Sequence, residues 1–394
     1  MSGKDSESMD QMSLKPRIDD GKRVCLVMIV RDEAHVIARC LKSVVSLVTD
    51  WVIVDTGSRD ETPARIEQLL GHLPGQLHHR PWVDFGHNRS EAMALAAGHG
   101  DFLLLIDADE ELIVSPEFRL PADSDIQAWQ ILQQPAGSGN EFYLPRLLLS
   151  NHPWHFEGVL HEYLASSRSF RQARLPGLRQ VGHFDSARNR RPRREKYLHD
   201  ADVLDSALAK EPANARYCFY LAQSLRDAGE LQRALQMYRR RAEMGGWDEE
   251  VYRALFEIAR LMERTGAAFP EIVHAYLQAW NFRPVRAEPL CELARLHRQA
   301  GKHALAHLFA QRAASMPRPD DHLFLDAGVY RWRARDELSV ASYWMGDFET
   351  ACRLAGALLD GDLPDSERPR VERNSNLFNE SRKNETPAGT SVPD

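Results

Sequence analysis

The chain has 394 residues, of which 43% are hydrophobic and 27% charged, with a formal net charge of −7. That length exceeds what a single hydrophobic core usually serves, so two domains are expected. The acidic balance excludes a general nucleic-acid coat, which needs a basic surplus. Cys25, Cys40, Cys218, Cys291 and Cys352 are scattered without a Cys-x-x-Cys pair, reading as reduced thiols rather than a disulfide framework. The start of the chain has no apolar signal core, and no apolar run reaches bilayer length; a cytoplasmic protein without a transmembrane segment is the expectation.

Residues 1–22 are polar and aperiodic and read as a disordered tail. Val24 to Val30 is then an apolar, β-branched run suited to a strand buried on both faces. Glu33 to Val48 carries apolar residues at helical spacing, Trp51 to Val54 is a second buried strand, and Thr62 to Leu70 a second helix. A third helix is predicted over His87 to Ala97, and Phe102 to Ile106 is another wholly apolar strand. Alternating strands and helices of this kind define a doubly wound α/β domain, which binds ligands beyond the carboxyl ends of its strands. The polar residues at those ends are Arg31-Asp32-Glu33, Asp55 to Asp60 and Asp107-Ala108-Asp109-Glu110. Short strand-like pieces follow at Ala128–Leu132, Glu141–Leu149 and Val159–Leu164, enough to complete a mixed sheet.

A basic run with Pro192 marks a linker over 188–200, and the chain beyond it is helical and repetitive. Ala222, Ala259 and Ala294 recur at spacings of 37 and 35, each followed seven residues later by Gly229, Gly266 or Gly301. This lies close to the 34-residue tetratricopeptide period, so 201–364 is assigned to helical repeats. A fourth unit is expected around Gly346 and Ala351, after an insertion from Pro317 to Trp332. Trp247, Tyr252, Trp280, Trp332 and Trp344 are expected in the repeat core, and 365–394 as a disordered tail.

Asp107 and Asp109, two apart after a buried strand, would project the same way from an extended segment and face one divalent cation, Mn²⁺ or Mg²⁺. The bland alternatives are helix capping or exposure to solvent, and Asp-x-Asp alone is a weak signal. Asp55 could equally start a turn with Gly57, Ser58 or Asp60 cap the following helix, and Gly57 only supply an unusual backbone angle.

Three segments together resemble family two glycosyltransferases of the GT-A fold: Val27 to Glu33, Val52 to Asp60 and Leu104 to Glu110. Trp82-Val83-Asp84-Phe85 with Arg89 and Ala92 resembles the subgroup fused to tetratricopeptide-like helices, and the likeness covers roughly 23–360. Asp32 stands where the family usually has Asn. The resemblance implies a GT-A domain over 23–187, with Val30, Arg31, Glu33, Asp55, Gly57, Ser58, Asp60, Arg89, Asp107 and Ala108 lining the nucleotide-sugar site. Asp55 would accept a hydrogen bond from the base, Asp107 would lie near ribose and metal, and Asp109 would hold the metal on the diphosphate. Trp154 to Glu162 resembles a His-Glu segment, making His161 a third candidate metal ligand and Glu162 a candidate base; Asp125, Glu111 and Glu157 are alternative bases.

By resemblance, the expected activity is inverting transfer of a hexose-type sugar, with a UDP-sugar favoured and GDP or dTDP open, to a saccharide, peptide or protein acceptor. The rival is a helical-repeat interaction protein whose nucleotide-sugar domain is inactive. A phosphatase using Asp-x-Asp is remote, because that motif would follow the first strand. The basic run reads as a solvated linker, since no aromatics interleave for base stacking. The concave repeat surface is suited to an acceptor peptide or to a second copy of the chain in a homodimer.

Overall fold

The computed structural model describes residues 21–122, 125–136, 141–321 and 323–385; the expected tail over 1–22 lies almost wholly outside them. The chain divides into two compact units, Met1–Ala207 and Leu208–Asp394.

The first unit opens with β1 (Val24–Val30), α1 (Ile37–Val44), β2 (Asp50–Asp55), α2 (Thr62–Leu70), β3 (Gly75–His79), α3 (Phe85–Ala96) and β4 (Phe102–Leu105). There follow β5 (Glu110–Val114), β6 (Ala128–Pro135), β7 (Phe142–Leu149), β8 (Trp154–Glu157), β9 (Tyr163–Ser166) and β10 (Gln172–Gly182). Eight strands form one mixed sheet in the order β3-β2-β1-β4-β7-β6-β10-β5, while β8 and β9 pair separately. β3, β2, β1 and β4 run parallel, and β7 pairs antiparallel to β4. The period-two geometry of β1 splits its apolar residues: Val24, Leu26, Met28 and Val30 enter a core with α1 and α2, whereas Cys25 and Val27 pack with Ala92, Met93 and Ala96 of α3. A sheet apolar on both faces must be covered on both, which explains the alternating helices.

The expected strand Val159–Leu164 is corrected: only Tyr163–Ser166 is strand there, and His161 lies in a turn with φ 55°. The linker expected over 188–200 becomes helical at α4 (Arg193–Lys210), immediately after Pro192, which is a favourable residue just ahead of a helix.

The second unit consists of α5 (Ala215–Asp227), α6 (Leu231–Glu243), α7 (Asp248–Arg264), α8 (Phe269–Phe282), α9 (Glu288–Gln299), α10 (His303–Ala314), a π-helical turn Val329–Arg333, α11 (Ala334–Trp344), α12 (Phe348–Leu359) and α13 (Arg368–Glu385). Ala222, Ala259 and Ala294 are fully buried where helices approach. Gly229, Gly266, Gly301 and Gly346 each end a first helix at positive φ, 69° to 86°. The expected 365–394 tail is corrected by α13, which buries Val371 and Phe378; 386–394 lie outside the described residues. Trp247 and Trp344 are likewise exposed rather than core. All five cysteines are free and buried, and among the described residues no helix is long and apolar enough to cross a membrane.

Candidate functional site

Two short loops are stitched together beyond β1 and β2. Val30 O accepts from Thr56 N at 2.9 Å, and Asp32, at φ 57°, receives Arg59 N on its carboxylate at 2.7 Å. The backbone N–H of Asp32 donates to Ser58 Oγ, that of Glu33 to Thr62 Oγ1, and that of Ala34 to Asp60. Asp60 also receives Thr62 N and Oγ1, and these bonds outweigh its desolvation and lower its pKa. Its carboxylate thus staples the loop after β1 to the start of α2. Asp55 is 3% exposed and accepts from Ser58 N and Oγ and from His79 Nδ1 at 3.2 Å. A carboxylate offers about four acceptor directions, so this leaves capacity for a further donor. Gly57, at φ 104° with open space around it, is there for its backbone angle.

A second group forms beyond β4. Asp107 and Asp109 do not lie on an extended segment. A turn closes here, with Glu110 N donating to Asp107 O at 3.0 Å and Asp107 N to Glu110 Oε2 at 2.9 Å. Arg89 of α3 donates from Nη2 to Asp107 Oδ1 at 2.6 Å and from Nε to Glu162 Oε1 at 2.7 Å. Arg146 of β7 stands 3.5 Å from both Asp107 and Glu110. Burial alone would raise the Asp107 pKa, but Arg89 and Arg146 hold it down to about 2. Glu110 goes the other way: desolvation raises its pKa more than Arg146 lowers it.

α3 is placed by Asp84, whose side chain accepts from His87 N, and by buried Asn88, which bonds Val83 N and Pro81 O. Gly86 touches the turn that carries Glu162: a Cβ there would stand 2.5 Å from Gly158 O. Beneath the Asp107 turn, buried Gln180 of β10 donates to Leu105 O at 2.7 Å and receives Gln133 Nε2 at 2.9 Å. Sequence reading missed Gln180, Asn88 and Arg146.

Asp109 faces a different neighbour, the segment after β10. Ser186 N and Asn189 Nδ2 each donate to it at 3.3 Å, and His183 N donates to its carbonyl at 3.0 Å. Asp185 clasps Arg39 at 2.7 and 2.9 Å. Glu33 receives Ala187 N, yet burial, with Asp109, Asp60 and Asp107 adding repulsion, pushes its pKa up to about 7. Glu33 therefore electrostatically links the two groups of acids. The alternative bases are engaged elsewhere: Asp125 with Arg171, Glu157 with His155 and Tyr163, Glu111 with His183.

Among the described residues no three His, Cys, Asp or Glu side chains are arranged to hold a metal, so Asp107, Asp109 and His161 are not a preassembled triad. The physical reason is that Asp107 is already turned to two guanidiniums. Asp109, held by two long hydrogen bonds amid other carboxylates, fits a hard divalent cation. Mg²⁺ commonly takes only one or two protein carboxylates and completes its shell with phosphate and water.

The mixed sheet thus carries acids beyond the C-terminal ends of β1, β2 and β4. Residues 25–117 match Glycosyl transferase family 2. A TPR repeat-containing protein of Synechococcus elongatus is 31% identical over 74% of this chain and 75% of its own length. An uncharacterized glycosyltransferase of Rickettsia felis is 35% identical over 23% of this chain and 30% of that protein. A tetratricopeptide repeat protein of Parabacteroides merdae superposes with TM-score 0.35 at 19% identity, covering 48% of this chain and 68% of its own. The chain belongs to the family two glycosyltransferases that carry tetratricopeptide-like repeats.

Proposed function

We propose that the protein is an inverting, metal-dependent glycosyltransferase that moves a hexose-type sugar from a UDP-sugar to a saccharide, peptide or protein acceptor. The observation that carries this reading is the single guanidinium of Arg89, which bonds Asp107 at 2.6 Å and Glu162 at 2.7 Å, at the C-terminal end of β4. It couples a donor-side acid to a candidate base within one rigid network.

Asp55 would accept from the nucleotide base, Asp107 would meet the ribose, and Asp109 would hold Mn²⁺ or Mg²⁺. Bound there, the ion supplies positive charge to the leaving diphosphate. The bond from anomeric carbon to diphosphate oxygen breaks with its electron pair on oxygen, the acceptor nucleophile bonds that carbon, and its proton passes to Glu162. Arg89 orients Glu162 and, with Arg146, keeps Asp107 ionised.

The rival reading is an interaction protein with an inactive transferase domain; the second unit, whose elements among the described residues are all helical, favours it. The two separate in one assay: purified protein with Mn²⁺ or Mg²⁺, a panel of nucleotide sugars, and nucleotide release as readout. Transfer by wild type and its loss in Asp109→Ala support the enzyme. Glu162→Gln should lose about 10²- to 10⁴-fold in rate while still binding nucleotide. Identical behaviour of Asp109→Ala and wild type sinks the proposal.

A further inference from the structure

Arg146 owes its position to an irregularity. β7 pairs with β6 through Trp129 opposite Leu147 and then Gln130 opposite Pro145, which leaves Arg146 as the extra residue of a β-bulge. Such bulges re-aim one side chain and cluster beside active sites. Pro145, with no N–H to give to a ladder, suits that place. On the other side Leu147 pairs with Leu104, so the bulge lies level with the residues leading into Asp107.

The guanidinium so placed is under-coordinated. Its Nη2 reaches Asp107 and Glu110 only at 3.5 Å, well beyond the about 2.7–2.9 Å of a charge-assisted bond. Its Nε is buried without a hydrogen-bond partner, in a side chain still 12% exposed. Arg89, by contrast, spends its donors on bonds of 2.6 and 2.7 Å. Leaving a buried donor unmet costs about 1–3 kcal/mol, so this guanidinium, loosely held beside the candidate site, has hydrogen-bonding capacity to offer a ligand there.

Charge decides what binds. Arg89 is matched by Asp107 and Glu162, and Arg146 by Asp107 and Glu110, so two guanidiniums face three carboxylates. The network has no surplus positive charge for a phosphate or a uronate. It does present fixed donors beside fixed acceptors, which is what adjacent hydroxyls of a neutral sugar require. We infer that Arg146, with Asp107 and Glu110, reads the hydroxyls of a neutral hexose on the donor and does not hold the diphosphate. This rests on the sugar-transfer reading above and names its sugar class.

The test is calorimetry with Mn²⁺ on wild type, Arg146→Met and Arg146→Lys, using UDP, UDP-glucose, UDP-galactose and UDP-glucuronic acid, with GDP and GDP-mannose as a second pair. Arg146→Met should weaken the neutral sugar nucleotide about tenfold or more and the bare nucleotide by much less, because Arg89 still holds Asp107 ionised at the ribose. Arg146→Lys, which keeps the charge without the fork, should fall close to Arg146→Met. Equal loss for UDP and its sugar conjugate would assign Arg146 to the diphosphate and overturn the inference while leaving the transferase reading intact. Wild type alone gives an answer independent of variant folding: glucuronate binding as tightly as neutral hexoses also overturns it. If wild type takes up no nucleotide of either pair, the transferase reading falls and takes this inference with it.

Discussion

Burial, reinforced by Asp109, Asp60 and Asp107, makes the Glu33 carboxylate costly to ionise, and its pKa of about 7 lies above its ordinary 4.5. A raised acid contributes stability that is complete below the ordinary value and lost as pH climbs through the folded one. With metal chelated, wild type should therefore lose about 3 kcal/mol relative to Glu33→Gln between pH 4.5 and 7. Denaturant midpoints measured across that window check this, and a pH-independent difference would rule it out. Gly86 makes a second residue-scale prediction. Gly86→Ala drives a Cβ into Gly158 O and should cost about 1–3 kcal/mol, with loss of transfer because the Glu162 turn moves. Gly356→Ala in α12 meets nothing within 4 Å and should stabilise by about 0.5–1 kcal/mol, which thermal melts would compare directly. At this scale Asp107, Arg89 and Glu162, which the fold brings together, were legible because they sit in or beside local motifs, while the turn that aims Asp109 at Ser186 and Asn189 was not. Arg146 and Gln180 were not: they reach Asp107 and Leu105 from 39 and 75 residues away, and no periodicity records such a pairing. Pro145 inside an apolar run was the one available hint of the bulge.

Among the elements, buried parallel strands announced themselves through continuous apolar runs, whereas β3, β5 and β10 did not. β3 is a polar edge strand with little burial, and β10 contains Pro176 and Gly177 at a register shift. α13 was missed because its sequence is highly polar, yet buried Val371 and Phe378, with Arg370 paired to Asp336 at 2.8 Å, give it a seat. Phe378 packs with Ala351, Cys352 and Ala355 of α12, so α13 shields the face that a terminal repeat would otherwise leave bare. Phe378→Ala should cost about 3–5 kcal/mol, read as a drop in denaturant midpoint without loss of nucleotide binding. The α6–α7 packing rests on another pair: Arg241 and Glu250 are 1% and 5% exposed and 2.9 Å apart. Arg241→Met strands the Glu250 charge and should cost about 3–5 kcal/mol, while adding Glu250→Leu should restore most of it. A double variant no more stable than the single one would show that the pair's partners, not its charge, matter.

For the molecule as a whole, the two-unit organisation was readable from the switch between strand–helix alternation and a near-34-residue helical period. The boundary was not, because the basic run around Pro192 passes directly into α4 and composition alone cannot separate a linker from the start of a helix. The thiols illustrate what the folded units jointly achieve. Desolvation pushes the Cys25 pKa up to about 12 and raises those of Cys40, Cys218 and Cys291. Thiolate is the reactive species and all five thiols are buried, so the folded chain should be nearly silent to alkylating reagents. Cys25 and Cys40 then become timed reporters of opening in the first unit, and Cys218, Cys291 and Cys352 in the second, so that mass-resolved labelling can follow each unit's breathing separately without introducing a single probe.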